Sequence, residues 1–151
     1  MIESEDVSAR AEQKIIGTWR LVSASSITLS GERDDSPYRS GATGILTYTA
    51  DGRVSALISY GGRKPLSPKA GTEEQAEAFK TFFAYAGTYV LNGEKVHHRV
   101  EISSIENYVQ KDLVRSLKFE GDRITLITPP TQVNGKTQTV ELVWQRLSHN
   151  V

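Results

Sequence analysis

A histidine on a strand-like segment is the group best suited to proton chemistry in this sequence. In KVHHRVEIS, residues 95–103, His98 alternates with Val96, Val100 and Ile102, so strand periodicity places its imidazole on the apolar face. An imidazole with an ordinary pKa of about 6.5 can accept or donate a proton near neutral pH. A lone histidine among apolar residues can equally be a hydrogen-bonded core residue. The sequence leaves both roles open.

An arginine on a second apolar strand face is the other candidate. Arg115 shares its face with Leu113, Leu117 and Phe119 in DLVRSLKFE. A guanidinium stays charged, and burying it without a partner is costly. Its partner is therefore an acid, carbonyl groups, water or an oxygen of a ligand, unless the side chain reaches solvent at the end of the strand.

Register arguments place further residues near these two. With Asn92-Gly93 as a two-residue turn, Gly87 lies opposite His98 and leaves space beside the imidazole. With Gly121-Asp122 as a turn, Arg115 lies opposite Thr128. The predicted ligand-binding residues are Tyr85, Tyr89, His98, Val100, Arg115, Leu117 and Thr128. The catalytic candidates among them are His98, Arg115 and Tyr85.

Other chemistries fit the residue pattern poorly. His98 and Glu101 lie on opposite strand faces and cannot chelate one ion, so no metal site is expected. The chain has no cysteine, which excludes thiol nucleophiles. The glycines of SGATG and YGGRK lack the strand-to-helix spacing of a phosphate loop, and there is no Gly-x-Ser-x-Gly elbow. We expect no cofactor.

The elements that must position these residues are mostly strands. Runs rich in Val, Ile, Thr, Tyr and Leu are bounded by turn residues, at 18–29, 44–50, 53–60, 84–91, 95–103, 113–120, 123–128 and 137–147. A short helix is predicted from Val7 to Ile16. A second helix opens at TEEQAEAFKTFF with Thr72 as N-cap and Gln75 completing a capping box. Its phenylalanines, Phe79, Phe82 and Phe83, either pack on the strands or cover an open end.

The connections alternate between short and long. Asp51-Gly52, Asn92-Gly93 and Gly121-Asp122 are tight-turn pairs, and the intervening links are long. This alternation predicts an all-β, eight-stranded antiparallel up-and-down barrel with one pinched end and one open end. A β-sandwich is the alternative. The facing of the second and third strands stays open, because a two-residue turn would align Tyr48 with Ser55.

The ends of the barrel strands carry a family signature. Gly17-Thr18-Trp19 heads the first strand and Arg146 lies near the end of the last, which resembles the lipocalins. The resemblance implies that Trp19 plugs the pinched end and that Arg146 stacks over it, and both roles are structural. Cation–π attraction of about 0.5–2 kcal/mol supports such a pair. Along the first strand, the alternate residues Trp19, Leu21, Ser23, Ser25 and Ile27 are expected to face inward.

Nearly the whole chain resembles a bacterial and fungal lipocalin-like domain family of the calycin type. The matching pieces are IIGTWRLVSA, GILTYTADGRVSA, FFAYAGTYVLNGEKVHHRVEIS, GDRITLITPP and LVWQRL. We therefore interpret residues 1–151 as a single lipocalin-like domain with one helix inserted between the third and fourth strands.

Composition excludes several classes of partner. Lys and Arg total 18, as do Asp and Glu, so the chain has no excess of basic residues. Binding to nucleic acid or to an anionic membrane surface is therefore not expected. The polar N-terminal segment lacks the apolar core of a signal peptide, so a cytoplasmic location is expected. The sequence leaves a homodimer open.

Two functions fit the predicted cavity. The first is binding of a small, mostly apolar molecule, oriented by Arg115, His98 and the tyrosines. The second is a cofactor-independent cyclase, isomerase or dehydratase acting on a polyketide- or terpenoid-like compound. There His98 would be the acid or base, Arg115 would stabilise an oxyanion, and Tyr85 or Tyr89 would donate a proton. The resemblance is compatible with both, and we favour binding.

Overall fold

One antiparallel sheet contains the ten strands of the described chain. The computed structural model describes residues 10–133 and 135–147. The strands are β1 (Gly17–Thr28), β2 (Arg33–Asp34), β3 (Thr43–Tyr48), β4 (Arg53–Ser59), β5 (Phe82–Asn92), β6 (Lys95–Ser103), β7 (Asp112–Glu120), β8 (Arg123–Ile127), β9 (Thr131–Val133) and β10 (Lys136–Arg146). Their order is β2-β1-β3-β4-β5-β6-β7-β8-β10-β9.

Pairing of β1 with β10 closes the sheet into a barrel. The barrel strands are β1, β3 to β8 and β10, which confirms the predicted eight-stranded antiparallel barrel. The sandwich alternative is wrong, because the first and last barrel strands are hydrogen-bonded to each other along most of their length. The short strands β2 and β9 extend the β1 and β10 ladders beyond the barrel, and they were not predicted.

Two α-helices accompany the barrel, and a 3₁₀ helix spans Glu106–Tyr108. Residues 10–15 are helical (α1), while Val7 and the two residues after it, part of the predicted first helix, lie outside the described residues. The inserted helix α2 spans Thr72–Lys80 between β4 and β5. These are the third and fourth strands of the barrel, as predicted. Its N-cap is Gly71 and not Thr72, because Gly71 is extended whereas Thr72 is already helical. Glycine has no side chain, and no side-chain hydrogen bond caps the helix.

The phenylalanines near α2 do not form a helical packing face. The helix ends at Lys80, so Phe82 and Phe83 belong to β5. Phe79 is 59% exposed, and no residue of α2 is buried. The helix therefore does not pack an apolar stripe on the barrel.

The tight turns lie at one end of the barrel. Gly121-Asp122 is the predicted two-residue turn, with Glu120 paired to Arg123. Between β5 and β6 the turn residues are Gly93 and Glu94, one position later than predicted. Between β3 and β4, Tyr48 pairs with Val54, because the loop is longer than two residues. This longer loop resolves the facing of β3 and β4, since Tyr48 and Val54 both point inward and are buried.

The shifted β5–β6 turn changes which residue faces His98. Tyr89 pairs with His98, and Gly87 pairs with Val100. The prediction that Gly87 leaves space beside the imidazole is therefore wrong. A Cβ on Gly87 would lie 1.8 Å from the carbonyl oxygen of Arg99, so glycine is required by the close approach of the β6 backbone.

Two bulges break the alternation assumed from the sequence. In β6 the extra residue is Glu101, and beyond it Ile102 is 67% exposed and not part of the inner face. In β1 the extra residue is Val22, so Ala24 is buried and Ser23 is exposed, the reverse of the prediction. The predicted alternation between inward-facing and outward-facing residues holds only up to each bulge.

The closed end of the barrel contains the predicted tryptophan–arginine pair. Trp19 is fully buried, and its indole N–H donates to the carbonyl of Ile15 at 3.0 Å. The guanidinium carbon of Arg146 lies 4.3 Å from the centre of the Trp19 ring. Gly17 has a φ of +137°, and a Cβ there would lie 2.8 Å from a guanidinium nitrogen of Arg146. The Gly-x-Trp pattern thus reflects both a backbone and a packing requirement.

The arginine also anchors α1. Its Nη1 donates to the carbonyl of Ile16 at 2.7 Å, and its Nη2 donates to that of Lys14. These bonds satisfy backbone carbonyls at the end of the helix. Among the described residues, neither helix has the length and apolar character needed to cross a bilayer.

Candidate functional site

A cavity occupies the barrel interior toward the end with the long loops. Its volume is about 50 Å³. The polar side chains on its wall are Tyr38, Tyr85, His98, Arg115, Thr128 and Trp144, and the apolar ones are Leu46, Ala56, Ile58, Phe83, Leu126 and Leu142. The lining is therefore mainly aliphatic and aromatic, with a few groups that can orient a ligand.

The structure brings four of the predicted site residues together. Tyr85, His98, Arg115 and Thr128 line the cavity. The other three, Val100, Leu117 and Tyr89, lie outside its wall. Val100 and Leu117 are buried in the core. The hydroxyl of Tyr89 donates to the carbonyl of Thr49 at 2.9 Å, in the tight turn at the closed end.

His98 is held between two tyrosine hydroxyls. Its Nε2 lies 2.7 Å from the Tyr48 oxygen, and its Nδ1 lies 2.5 Å from the Tyr85 oxygen. The side chain is 1% exposed. Burial, reinforced by the charges of Arg115 and His97, lowers the pKa of His98 to about 3. The imidazole is therefore neutral at physiological pH.

The two tyrosines are also neutral. Burial raises the pKa of Tyr85 to about 12, despite the opposing effect of Arg115. Burial likewise raises the pKa of Tyr48 well above its ordinary value. The ring of Tyr89 packs edge-on against that of Tyr48, with their centres 4.8 Å apart. Tyr48 is therefore enclosed on the closed-end side of His98, while Tyr85 reaches the cavity.

Arg115 lies half-buried on the cavity wall. Its Nη1 donates to the carbonyl of the adjacent Val114 at 3.0 Å. Within residues 10–133 and 135–147, no carboxylate forms an ion pair with it. A guanidinium has five N–H donors, so most of them remain available to water or to a ligand.

Aromatic side chains surround the open end of the cavity. Tyr38 and Tyr60 form an edge-to-face pair with ring centres 5.2 Å apart. Phe83 packs between Tyr85 at 5.5 Å and Tyr108 at 5.4 Å. We call Tyr38, Tyr60, Phe83 and Tyr108 the aromatic rim. Its members come from the long links or from strand residues beside them, so the rim lies at the end of the barrel that has the long loops.

Trp144 is a cavity residue that sequence reasoning did not select. It is 2% exposed, and its indole N–H has no hydrogen-bond acceptor among the described residues. A buried donor without an acceptor is rare and costs about 1–3 kcal/mol. In the sequence, Trp144 lies in LVWQRL, one of the pieces that carry the family resemblance, and no site role was predicted for it.

Tyr38 and Tyr48 were also missed. Tyr38 lies in the long link before β3, where no periodicity assigns a face, and burial raises its pKa to about 12. Tyr48 lies on the strand whose facing stayed open until the β3–β4 loop length was known. An alternation of Leu46 and Tyr48 was the available signal for an inward-facing tyrosine.

An up-and-down barrel closed by a tryptophan at one end, with a cavity toward the other, defines the calycin type of architecture. The chain belongs to the lipocalin-like domain family, whose model matches residues 16–147. This confirms the resemblance noted in the sequence. A search of curated proteins gave no match.

Two solved structures are similar to this chain at low identity. A lipocalin-like protein from Bacteroides uniformis ATCC 8492 has 13% identity and a TM-score of 0.46, and the alignment covers 89% of this chain and 99% of the other. A protein described as the REP1-NXSQ fatty acid transporter has 11% identity and a TM-score of 0.44, with coverage of 91% and 99%.

Proposed function

We propose that the protein binds a small, mostly apolar molecule in the barrel cavity. Arg115 carries this proposal. A half-buried guanidinium on an apolar wall, with one hydrogen bond to its neighbour's carbonyl among the described residues, is suited to hold an oxygen of a ligand. The mainly apolar lining favours a ligand whose remaining surface is hydrocarbon.

The size of the cavity bears on how a ligand enters. Pockets for drug-sized molecules usually have volumes of about 300–1,000 Å³. The cavity of about 50 Å³ has room for only a few water molecules. A larger ligand therefore requires Tyr38 and Phe83 of the aromatic rim to move aside. Their positions beside the long links make them the side chains best placed to do so.

The alternative, a cofactor-independent enzyme with His98 as acid or base, has less support. Both ring nitrogens of His98 are engaged by tyrosines, and a pKa of about 3 leaves the imidazole a weak base. A pKa of about 12 also makes Tyr85 a weak acid. The same contacts that hold these groups suit them to orient a ligand.

Native mass spectrometry of the purified protein tests retention of a ligand. An additional mass that disappears on denaturation is the expected result, and its formula would give the ligand class. Retention of the same mass by a variant whose cavity is filled, such as Ala56→Leu, would contradict binding inside the barrel.

The role of Arg115 is tested by matched charge removal on β7. Arg115→Gln is expected to weaken binding of benzoate, used as an apolar anion, by about 10–100-fold, since a hydrogen bond to a charged group contributes about 1.5–3 kcal/mol. Lys118→Gln removes the same charge from an exposed position three residues later and is the control. NMR titration gives both dissociation constants. Equal affinities for the two variants would contradict the proposal.

A further inference from the structure

The chain of hydrogen bonds through His98 connects three strands. Tyr48 comes from β3, His98 from β6 and Tyr85 from β5. The oxygen–nitrogen distances are 2.7 Å and 2.5 Å, and none of the three residues is more than 8% exposed. Such a buried set is fixed in geometry, so the positions of its protons follow from counting donors and acceptors.

The count leaves one proton outside the two hydrogen bonds. A neutral imidazole has one N–H donor and one lone-pair acceptor. One tyrosine must therefore donate to the ring, and the other must accept from it. The accepting tyrosine keeps its own O–H proton, which needs a further acceptor. The chain consequently has a direction, with one end that points a free donor away from His98.

The surroundings of the two tyrosines determine that direction. Tyr48 is 1% exposed, and its hydroxyl has no partner other than His98 among the described residues. A free O–H at Tyr48 would be a buried donor without an acceptor. Tyr85 lines the cavity, where water or a ligand can accept a hydrogen bond.

We propose that Tyr48 donates to Nε2 of His98, that Nδ1–H donates to Tyr85, and that the Tyr85 hydroxyl therefore points its proton into the cavity. Tyr48 is then a positioning residue, which acts on the ligand site through the tautomer of His98. Tyr85 is the residue that contacts the ligand.

This direction specifies the ligand group, and here the inference rests on the proposed function. Tyr85, Arg115 and Trp144 line the same cavity wall, and each side chain carries an N–H or O–H donor, of which the indole N–H has no acceptor among the described residues. Among the acceptors on the wall, the Thr128 hydroxyl oxygen is already engaged, because it accepts from the Val140 N–H at 2.9 Å. The site is rich in donors, so it selects a carbonyl or carboxylate oxygen and disfavours an amine or another donor.

The tautomer is measured in the ligand-free protein. Long-range ¹H–¹⁵N correlation spectra at pH 7 are expected to show His98 with a pyrrole-like Nδ1 and a pyridine-like Nε2. The chain has three histidines, so His97→Gln and His149→Gln remove the other two imidazoles and assign the His98 signals. A pyridine-like Nδ1, or a doubly protonated ring, would overturn the proposal whether or not any ligand binds.

The ligand preference is measured with acetophenone and α-methylstyrene, which replace C=O by C=CH₂ at nearly constant shape. NMR titration is expected to give about 3–10-fold tighter binding of the ketone, the value of one neutral hydrogen bond. Tyr85→Phe should reduce this preference, and the donors of Arg115 account for what remains. Tyr89→Phe is the matched control, since it deletes a hydroxyl from the same strand that bonds to Thr49 and not to the cavity.

Tyr48→Phe separates positioning from contact. Without a donor to Nε2, the ring is free to take a proton there and accept from Tyr85, so the tautomer signature should change and the ketone preference should fall. An unchanged tautomer and preference in this variant would overturn the role of Tyr48. Failure of both probes to bind the wild type, with the expected tautomer intact, would contradict the proposed function alone.

Discussion

At the scale of single residues, polar groups in the barrel interior are packed in the core and also line the cavity. His98 is as buried as the apolar residues around it, yet both of its nitrogens are satisfied by tyrosines. The two roles considered from the sequence, core residue and site residue, are therefore not exclusive. His98 is a satisfied core histidine that also forms part of the cavity wall.

Replacement of His98 measures how much its hydrogen bonds contribute to the stability of the fold. His98→Ala leaves two buried tyrosine hydroxyls without their partner, each at a cost of about 1–3 kcal/mol. We expect it to lower the free energy of unfolding by about 2–5 kcal/mol, comparable to the roughly 3–5 kcal/mol expected for Trp19→Ala. Urea unfolding followed by circular dichroism measures both. A loss below about 1 kcal/mol for His98→Ala would show that the tyrosines find other partners.

At the scale of elements, register is controlled by loop length and bulges. The turn residues Gly93 and Glu94 place Tyr89, and not Gly87, opposite His98, and the bulge at Glu101 shifts the register only beyond Val100. Strand positions were predictable from β-branched and aromatic runs. Bulges were not, because an extra residue leaves the apolar pattern of a strand almost unchanged until the paired strand is known.

Beside the bulge in β6, Gly87 has no room for a side chain, and this requirement for glycine can be tested. Gly87→Ala would place a Cβ 1.8 Å from the Arg99 carbonyl oxygen, a backbone atom that moves only if the ladder shifts. We expect a loss of about 2–4 kcal/mol in unfolding free energy, as for an overpacked core site.

The control for this variant is Gly71→Ala, at the N-cap of α2. That position has a φ of −87° and nothing within 4 Å of an added Cβ. Its expected loss is below about 1 kcal/mol. Thermal melting of the two variants side by side checks the difference, and similar midpoints would show that β5 and β6 separate easily at the bulge.

At the scale of the whole molecule, the barrel has two unlike ends. The alternation of short and long links and the pair of Trp19 and Arg146 predicted this asymmetry from the sequence. The cavity wall was only partly predictable, because it depends on how the closed barrel brings together side chains far apart in the chain. Tyr38 from a long link and Trp144 from β10 meet there, and no local pattern indicates such a meeting.

The burial of His98 gives the whole molecule a specific dependence on pH. In the folded protein the pKa of His98 is about 3, because burial and the charge of Arg115 disfavour the imidazolium. In the unfolded chain it returns to about 6.5, so between these values the unfolded state binds more protons and stability falls as the pH is lowered. Above about pH 6.5 this contribution is fully present. Through the window it is lost at on the order of 1 kcal/mol per pH unit.

Comparison with His98→Gln isolates this contribution from the carboxylates, which also protonate in acid. Urea unfolding at intervals between about pH 7 and 3.5 is expected to show a steeper decline for the wild type than for the variant. The difference should begin near pH 6.5, the ordinary value for an exposed imidazole, to within about half a unit. Direct titration of the His98 ring by NMR provides the same information where the variant is too unstable to study. Parallel declines, or a ring that titrates near pH 6, would mean that the imidazole is hydrated in solution and that the tyrosines do not enclose it.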